Sequence, residues 1–106
     1  MTKYLFEANY VGEGVKGLMR DGGTKRRDAV DAALKSVGGS LESFYYAFGE
    51  TDVLGVFDIP DQASAVALSL LINSTGTVNL HLKPLMTPED IDEAAQKTPS
   101  YRAPGQ

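Results

Sequence analysis

The chain has 106 residues, a length that fits one domain, and its 14 acidic and 10 basic side chains give a net charge of −4. This acidic balance argues against a general nucleic-acid binder, and the absence of cysteine excludes disulfides, thiol nucleophiles and thiolate-bound metals. The single histidine excludes a multi-histidine metal site within one chain. We therefore expect no metal, no cofactor and no nucleic-acid partner.

The first predicted element is a strand over Tyr4–Tyr10, in which side chains of two kinds alternate. A short helix is predicted over Gly12–Arg20, although its glycines weaken it. Thr24 is expected to cap a second helix that runs over residues 24–37. The pair Gly38-Gly39 is then expected to end that helix in a left-handed C-terminal cap.

The middle of the chain predicts two further strands and a helix. Ser40–Phe48 and Val53–Ile59 have strand composition, and the tight connection Gly49–Asp52 between them indicates a hairpin. Asp61 is expected to cap a third helix that ends near Asn73. The predicted buried stripe of this helix consists of Ala63, Val66, Ala67, Leu70 and Leu71.

The last part of the chain predicts a strand, a helix and a tail. Thr77–Lys83 alternates as a strand, and Thr87 followed by Pro88 marks the start of a short helix that ends near Gln96. Residues 98–106 contain two prolines and a glycine, so we expect a flexible tail after a single domain over residues 1–97. The element order predicts an α+β, ferredoxin-like β-α-β-β-α-β fold with helices on one face of an antiparallel sheet ordered 4-1-3-2.

The other face of this sheet has no predicted cover. The second strand has Phe44, Tyr46 and Phe48 on one side and Tyr45 on the other, so neither side is polar. Several aromatics left in water are unusual for a monomer, so we predict a homodimer or higher even oligomer whose sheets face each other. The alternative is that the C-terminal helix folds back over the open face of its own sheet.

A polar group is predicted on the open face, where the first and last strands are neighbours. An imidazole beside a carboxylate suits general acid–base chemistry, so His81 and Glu7 are candidate catalytic residues. The alternative is that the group consists of ordinary polar residues on a partly wet face or at an interface. The candidate ligand-binding residues are Asn9, Tyr46, Asn79 and Lys83.

A basic cluster is predicted at the start of the second helix. Residues 16–27 contain five basic side chains and one acid. Cations in a first turn are disfavoured by the helix dipole, and a bound anion would remove the conflict. A pair between Arg27 and Asp31 would do so as well. The candidate anion-binding residues are Lys25, Arg26 and Arg27.

Scattered carboxylates do not predict a metal site. Asp52 and Asp58 lie at opposite ends of the third strand, roughly 20 Å apart, which is too far to share an ion. Asp52 is expected to bond its own turn backbone, and Asp61 to cap the helix that follows.

The chain resembles the GYD-domain family at a set of separated motifs. These are Gly38-Gly39, Phe48-Gly49-x-x-Asp52, Pro60-Asp61 and Gly76. The resemblance extends from Lys3-Tyr4 to Thr87-Pro88-Glu89, with Thr51 where the family has tyrosine. It implies a ferredoxin-like dimeric α/β barrel and carries no settled activity.

Two functions fit these observations. The first is a non-catalytic oligomeric domain that binds a small molecule or has a regulatory or structural role. The alternative is a cofactor-independent oxygenase, isomerase or decarboxylase, in which Glu7 orients His81 and Asn9 or Asn79 steadies developing charge. The N-terminus enters a strand directly and no apolar run could span a bilayer, so a cytoplasmic location and no membrane partner are expected.

Overall fold

The computed structural model describes residues 1–106 and contains four strands and four helices. The four strands form one antiparallel sheet in the order β2-β3-β1-β4, which confirms the predicted order and the α+β class. The elements are β1 (Thr2–Tyr10), α1 (Glu13–Asp21), α2 (Gly23–Ser36), β2 (Ser40–Tyr46), β3 (Val53–Ile59), α3 (Gln62–Ser74), β4 (Val78–Pro84) and α4 (Pro88–Gln96).

The core lies between one face of the sheet and the helices α2 and α3, and we call this the helix face. Alternate residues of β1 and β3 point into it, with Phe6 of β1 opposite Gly55 of β3. A Cβ at Gly55 would come within 2.7 Å of the Phe6 ring, so the glycine makes room for the aromatic core. The buried hydrophobic residues of the core are Tyr4, Phe6, Ala8, Leu34, Val53, Phe57, Ile59, Ala65 and Leu68.

The junction between α1 and α2 differs from the prediction. Thr24 is not the N-cap of α2, because the helix already begins at Gly23 and no side chain caps it. Gly22, at a φ of 82°, is both the last cap of α1 and the first cap of α2. A single left-handed glycine therefore makes the whole turn, which leaves no place for a separate capping residue.

The other predicted helix ends are confirmed. Gly38 has a φ of 80° and the amide of Gly39 donates to the Leu34 carbonyl at 2.8 Å, which closes α2 in a Schellman motif. The Asp61 carboxylate accepts from the Ser64 amide at 2.7 Å at the start of α3. Thr87 and Asp90 form a reciprocal capping box at the start of α4.

The buried side of α3 was predicted wrongly. Ala65 and Leu68 face the core, whereas Val66, Leu70 and Leu71 are exposed. The sequence of α3 is apolar on nearly every side, so periodicity alone does not identify which side packs on the sheet.

The second strand is shorter than predicted. It ends at Tyr46, because Phe48 has a φ of 55°, outside the strand region. Its register against β3 shifts between Leu41 and Ser43, so Glu42 is an extra residue in the ladder.

The C-terminal helix does not cover the sheet. No residue of α4 is buried, and residues 83–106 are all exposed. The alternative in which this helix shields its own open face is therefore not what the structure shows. The Cα radius of gyration is 17.1 Å, against about 13 Å for a compact domain of this length, as expected when one segment extends from the body. No helix of the chain is long and apolar enough to cross a membrane.

Candidate functional site

The face of the sheet away from the helices, which we call the open face, carries the predicted polar group. Glu7 lies directly opposite His81, and Asn9 opposite Asn79, across the β1–β4 ladder. Lys83 is one step along the same face, opposite Leu5. All residues of the polar group except Asn79 line a shallow depression of about 380 Å³, and we call the group together with this depression the open-face site.

The carboxylate of Glu7 is engaged by two partners, and neither of them is His81. One oxygen lies 2.7 Å from the Lys83 ammonium, and the other accepts from the Thr51 hydroxyl at 3.3 Å. The Lys83 ammonium holds the pKa of Glu7 below its usual value of 4.5. His81 is exposed and forms no hydrogen bond, although it is the cross-strand neighbour of Glu7. The structure therefore places the catalytic candidates side by side without the contact that would orient the imidazole.

Asn9 lies at the edge of the site and has a structural contact. Its side-chain oxygen accepts from the Asp52 amide at 3.1 Å, while the Asp52 carboxylate accepts from the Tyr10 amide at 2.9 Å. These bonds hold the 47–52 connection to the end of β1. The expectation that Asp52 bonds its own turn was wrong, because the register places the Tyr10 amide within its reach. Thr51, which sequence reasoning did not assign to the site, is brought to Glu7 by the same connection.

An apolar strip crosses the open face beside the polar group. Leu5, Leu54 and Val56 are half-buried, and Tyr45, opposite Leu54 in the ladder, has 68% of its surface exposed. We call these four residues the apolar strip. Their proximity follows from the register between β1, β2 and β3, which sequence spacing alone does not give.

Beyond the strip lies a second ion cluster. The Lys3 ammonium is 3.0 Å from Asp58 and 3.2 Å from Glu42. This ammonium is shared by two carboxylates, whereas Glu7 and Lys83 at the other end form a one-to-one pair. The open face thus combines an apolar centre with ammonium groups that already have carboxylate partners.

Tyr46 lies on the opposite face of the sheet from Asn9, Asn79 and Lys83. Its hydroxyl donates to the Gly23 carbonyl at 3.2 Å, and its ring packs edge-on against Phe44 at 5.3 Å. Tyr46 is therefore not brought together with the other candidate ligand-binding residues. Both sides of β2 are aromatic, so only the pairing with β3 shows that Tyr45 is the residue on the open face.

The basic residues at the start of α2 point in different directions. Lys25 and Arg27 are exposed, and Arg27 pairs with Asp28 at 3.3 Å. The expected pair between Arg27 and Asp31 does not form. Asp31 pairs instead with Lys35 at 2.9 Å, because Lys35 lies four residues further along the helix and therefore on the same side as Asp31. Arg26 is half-buried and lines a cavity on the helix face. These three side chains do not form one anion site.

No group of three or more histidine or carboxylate side chains is arranged to hold a metal ion. Asp58 pairs with Lys3, Asp61 caps α3, and Asp52 holds the β2–β3 connection. Each of these carboxylates thus has a role within the fold.

The family model of the GYD domain matches residues 4–95, which are 92 of the 106 residues of the chain. The match includes the sheet except for the first two residues of β1, together with the open-face site and the helix-face cavity. No curated protein and no solved structure shows a match to the chain.

Proposed function

The chain belongs to the GYD domain family, and on that premise we propose that it is a homodimeric, non-catalytic domain that binds a small molecule between two facing open faces. The regulatory or structural role of such a domain would follow from occupancy of this site. The family assignment by itself specifies no ligand and no reaction.

The observation that carries the proposal is the composition of the uncovered sheet face. The apolar strip borders the polar group, with Leu54 opposite Glu7 and Leu5 opposite Lys83. His81 and Asn79, further along the group, are exposed side chains that make no hydrogen bond within the chain. Ligand sites commonly combine apolar walls with a few polar groups that fix orientation. The open face supplies both components, and no other element of the chain covers it.

A second copy of the chain is the partner that suits this face. The ammonium groups of Lys3 and Lys83 already have carboxylate partners in the same chain, so covering them leaves no unpaired cation. The apolar strip would gain from removal of water, and a face-to-face pair would turn the shallow depression into an enclosed space.

The ligand class follows from the groups that are available. The imidazole of His81 and the amide of Asn79 can each donate and accept a hydrogen bond. Lys83 adds a cation that is shared with Glu7. These groups suit a small, flat molecule with an apolar body and polar substituents at one end.

A cofactor-independent enzyme with the same site is the alternative. The adjacency of Glu7 and His81 supports it, since a carboxylate beside an imidazole is a common acid–base arrangement. Both oxygens of Glu7 have other partners, however, so the imidazole lacks the orienting bond that such chemistry uses. The contacts of Glu7 therefore favour binding over catalysis.

Native mass spectrometry of gently purified protein tests the dimer and the ligand together. We expect a dimer with additional mass, and a monomer for Tyr45→Asp. Leu70→Asp is the matched control, since Leu70 lies on α3 with 67% exposure, against 68% for Tyr45. A monomeric wild-type protein, or equal effects of the two substitutions, would overturn the face-to-face dimer.

Variants of the polar group separate binding from catalysis. Asn79→Ala and His81→Ala should remove the additional mass and leave the dimer intact. If the retained molecule is instead converted during incubation, and His81→Ala stops the conversion, the non-catalytic assignment fails and the enzyme alternative holds.

A further inference from the structure

The helix face contains an apolar chamber. It has a volume of about 70 Å³ and lies between the sheet and the helices α2 and α3. Protein cores are usually packed without voids of this size, because their lining loses contacts. Eleven of its twelve lining residues are hydrophobic: Phe6, Ala8, Tyr10, Val30, Phe44, Val53, Phe57, Leu68, Ile72, Val78 and Leu80.

Arg26 is the twelfth lining residue and the only charged one. It is half-buried, and its guanidinium forms no ion pair and no hydrogen bond within the chain. A guanidinium without a partner is available to bind an anion, and a planar carboxylate matches its paired donors. The neighbouring Lys25 and Arg27 are exposed, so of these three residues only Arg26 lines the chamber.

Two tyrosines accompany Arg26 on this side. Tyr10 lines the chamber, and Tyr46 donates its hydroxyl to the Gly23 carbonyl at 3.2 Å. Burial raises the pKa of Tyr46 to about 12, against an opposing effect from the charge of Arg26. The Tyr46 phenol therefore remains neutral at pH 7.

A polar vestibule adjoins the chamber. It has a volume of about 300 Å³ and shares Tyr10, Arg26 and Val78 with the chamber. Its other charged residues are Glu13, Arg20 and Asp21, of which Glu13 is paired with Lys16 at 3.2 Å. Arg26 thus lies where an apolar space meets a wet one.

Glycines shape the vestibule. A side chain at Gly14 would overlap the Thr77 carbonyl, so this glycine allows α1 to lie against the start of β4. Gly23 leaves room for the Tyr46 ring, which would otherwise be 3.0 Å from a Cβ. Of these two close approaches, the one between Gly14 and Thr77 is at the vestibule, which both residues line.

From this arrangement we infer that the helix face is a second binding site, which takes a small apolar monocarboxylate with its body in the chamber and its carboxylate on Arg26. A chamber of about 70 Å³ accommodates roughly five water-sized groups, the size of a branched chain or a phenyl ring. Arg26 is the only charged side chain on the chamber, which favours a ligand with one negative charge at one end. The site is on the opposite face of the sheet from the open-face site and does not depend on the proposed function.

Phenylacetate and benzylamine form a matched pair of probes, since they share the phenyl ring and methylene and differ in the sign of their charge. We expect phenylacetate to bind at least about tenfold more tightly, as a charged hydrogen-bonded pair contributes enough free energy for a factor of this size. Chemical-shift titration measures both affinities and reports whether Val30 and Ile72 methyl groups, which line the chamber, respond.

Arg26→Gln should abolish the preference for phenylacetate, whereas Arg27→Gln, at the next and exposed position, should leave it unchanged. Val30→Phe should fill the chamber and block both probes. If Val30→Phe does not fold, the methyl shifts of the wild-type protein still show whether the chamber is occupied.

Three results would overturn the inference. These are equal affinities for the two probes, no effect of Arg26→Gln, and no saturable binding of phenylacetate at millimolar concentration to folded protein. Tyr45→Asp, which is directed at the open face, should retain phenylacetate binding, so failure of the dimer proposal and failure of this site remain distinguishable.

Discussion

The two faces of the sheet differ in how completely their apolar residues are buried. On the helix face, Phe6 and Phe57 are at most 3% exposed and are packed among aromatic and aliphatic neighbours. On the open face, Leu5 and Val56 are only half-buried, and they lie between ion pairs that are complete within the chain. Folding of a single chain buries the apolar residues of the helix face. The open face keeps half-buried apolar residues at its surface, and our proposal is that a second copy of the chain covers them.

Phe57→Ala tests the helix face and has the largest expected effect. Phe57 is 2% exposed and stacks on Tyr4 and Phe6 at 5.7 and 5.9 Å, so its removal should cost about 3–5 kcal/mol of unfolding free energy. Val56→Ala, one residue away on the open face, should cost about 1 kcal/mol. Urea unfolding measures both, and equal costs would contradict the distinction between the faces.

Asp52→Ala tests the link between the faces and should have an intermediate effect. The substitution removes the bond from the Tyr10 amide to the Asp52 carboxylate, while the Asp52 backbone amide keeps its bond to Asn9. We expect a loss of about 2 kcal/mol, as for a hydrogen bond to a charged group. Asp52→Asn keeps an acceptor and should cost less; no measurable loss for Asp52→Ala would show that the bond to Tyr10 is unimportant.

Glu7→Gln tests the open face and should have the smallest effect, visible in its pH dependence. The pKa of Glu7 is lowered in the folded protein by Lys83, so the ionised carboxylate stabilises the fold above its unfolded value near 4.5. This contribution is lost as the pH falls through the folded pKa. The difference in unfolding free energy between wild type and variant should therefore be present at pH 7 and shrink below pH 4.5. Glu89→Gln, an exposed α4 variant, should show no such change.

Most of the architecture could be predicted from local patterns. Several predicted features depend only on a short stretch of chain, and the structure confirms them. They are the strands β1 and β4, the C-terminal cap at Gly38 and the N-caps at Asp61 and Thr87. The buried side of α3 could not be predicted, because its sequence is apolar all round. The side of β2 that packs against the helices could not be predicted either, because both of its sides carry aromatic residues.

The site was less predictable than the fold, since its contacts join distant residues. The polar group on β1 and β4 could be placed because antiparallel neighbours share a face. The bond from Thr51 to Glu7 depends on how the 47–52 connection folds back, and no local pattern carries that information. Arg26 differs from its neighbours only in the direction it faces, which is set by packing of α2 on the sheet.

The bulge at Glu42 and the proline at position 84 also limit how copies of this chain can aggregate. The bulge lies on β2 and the proline on β4. These are the two outermost strands of the sheet, where unpaired backbone groups could recruit a further strand. The bulge interrupts the regular spacing of backbone hydrogen-bonding groups on β2. On β4, Lys83 adds a charge and Pro84 has no backbone N–H to donate. Growth by strand addition is thereby discouraged at both edges, so concentrated protein should stop at closed assemblies instead of forming extended fibres.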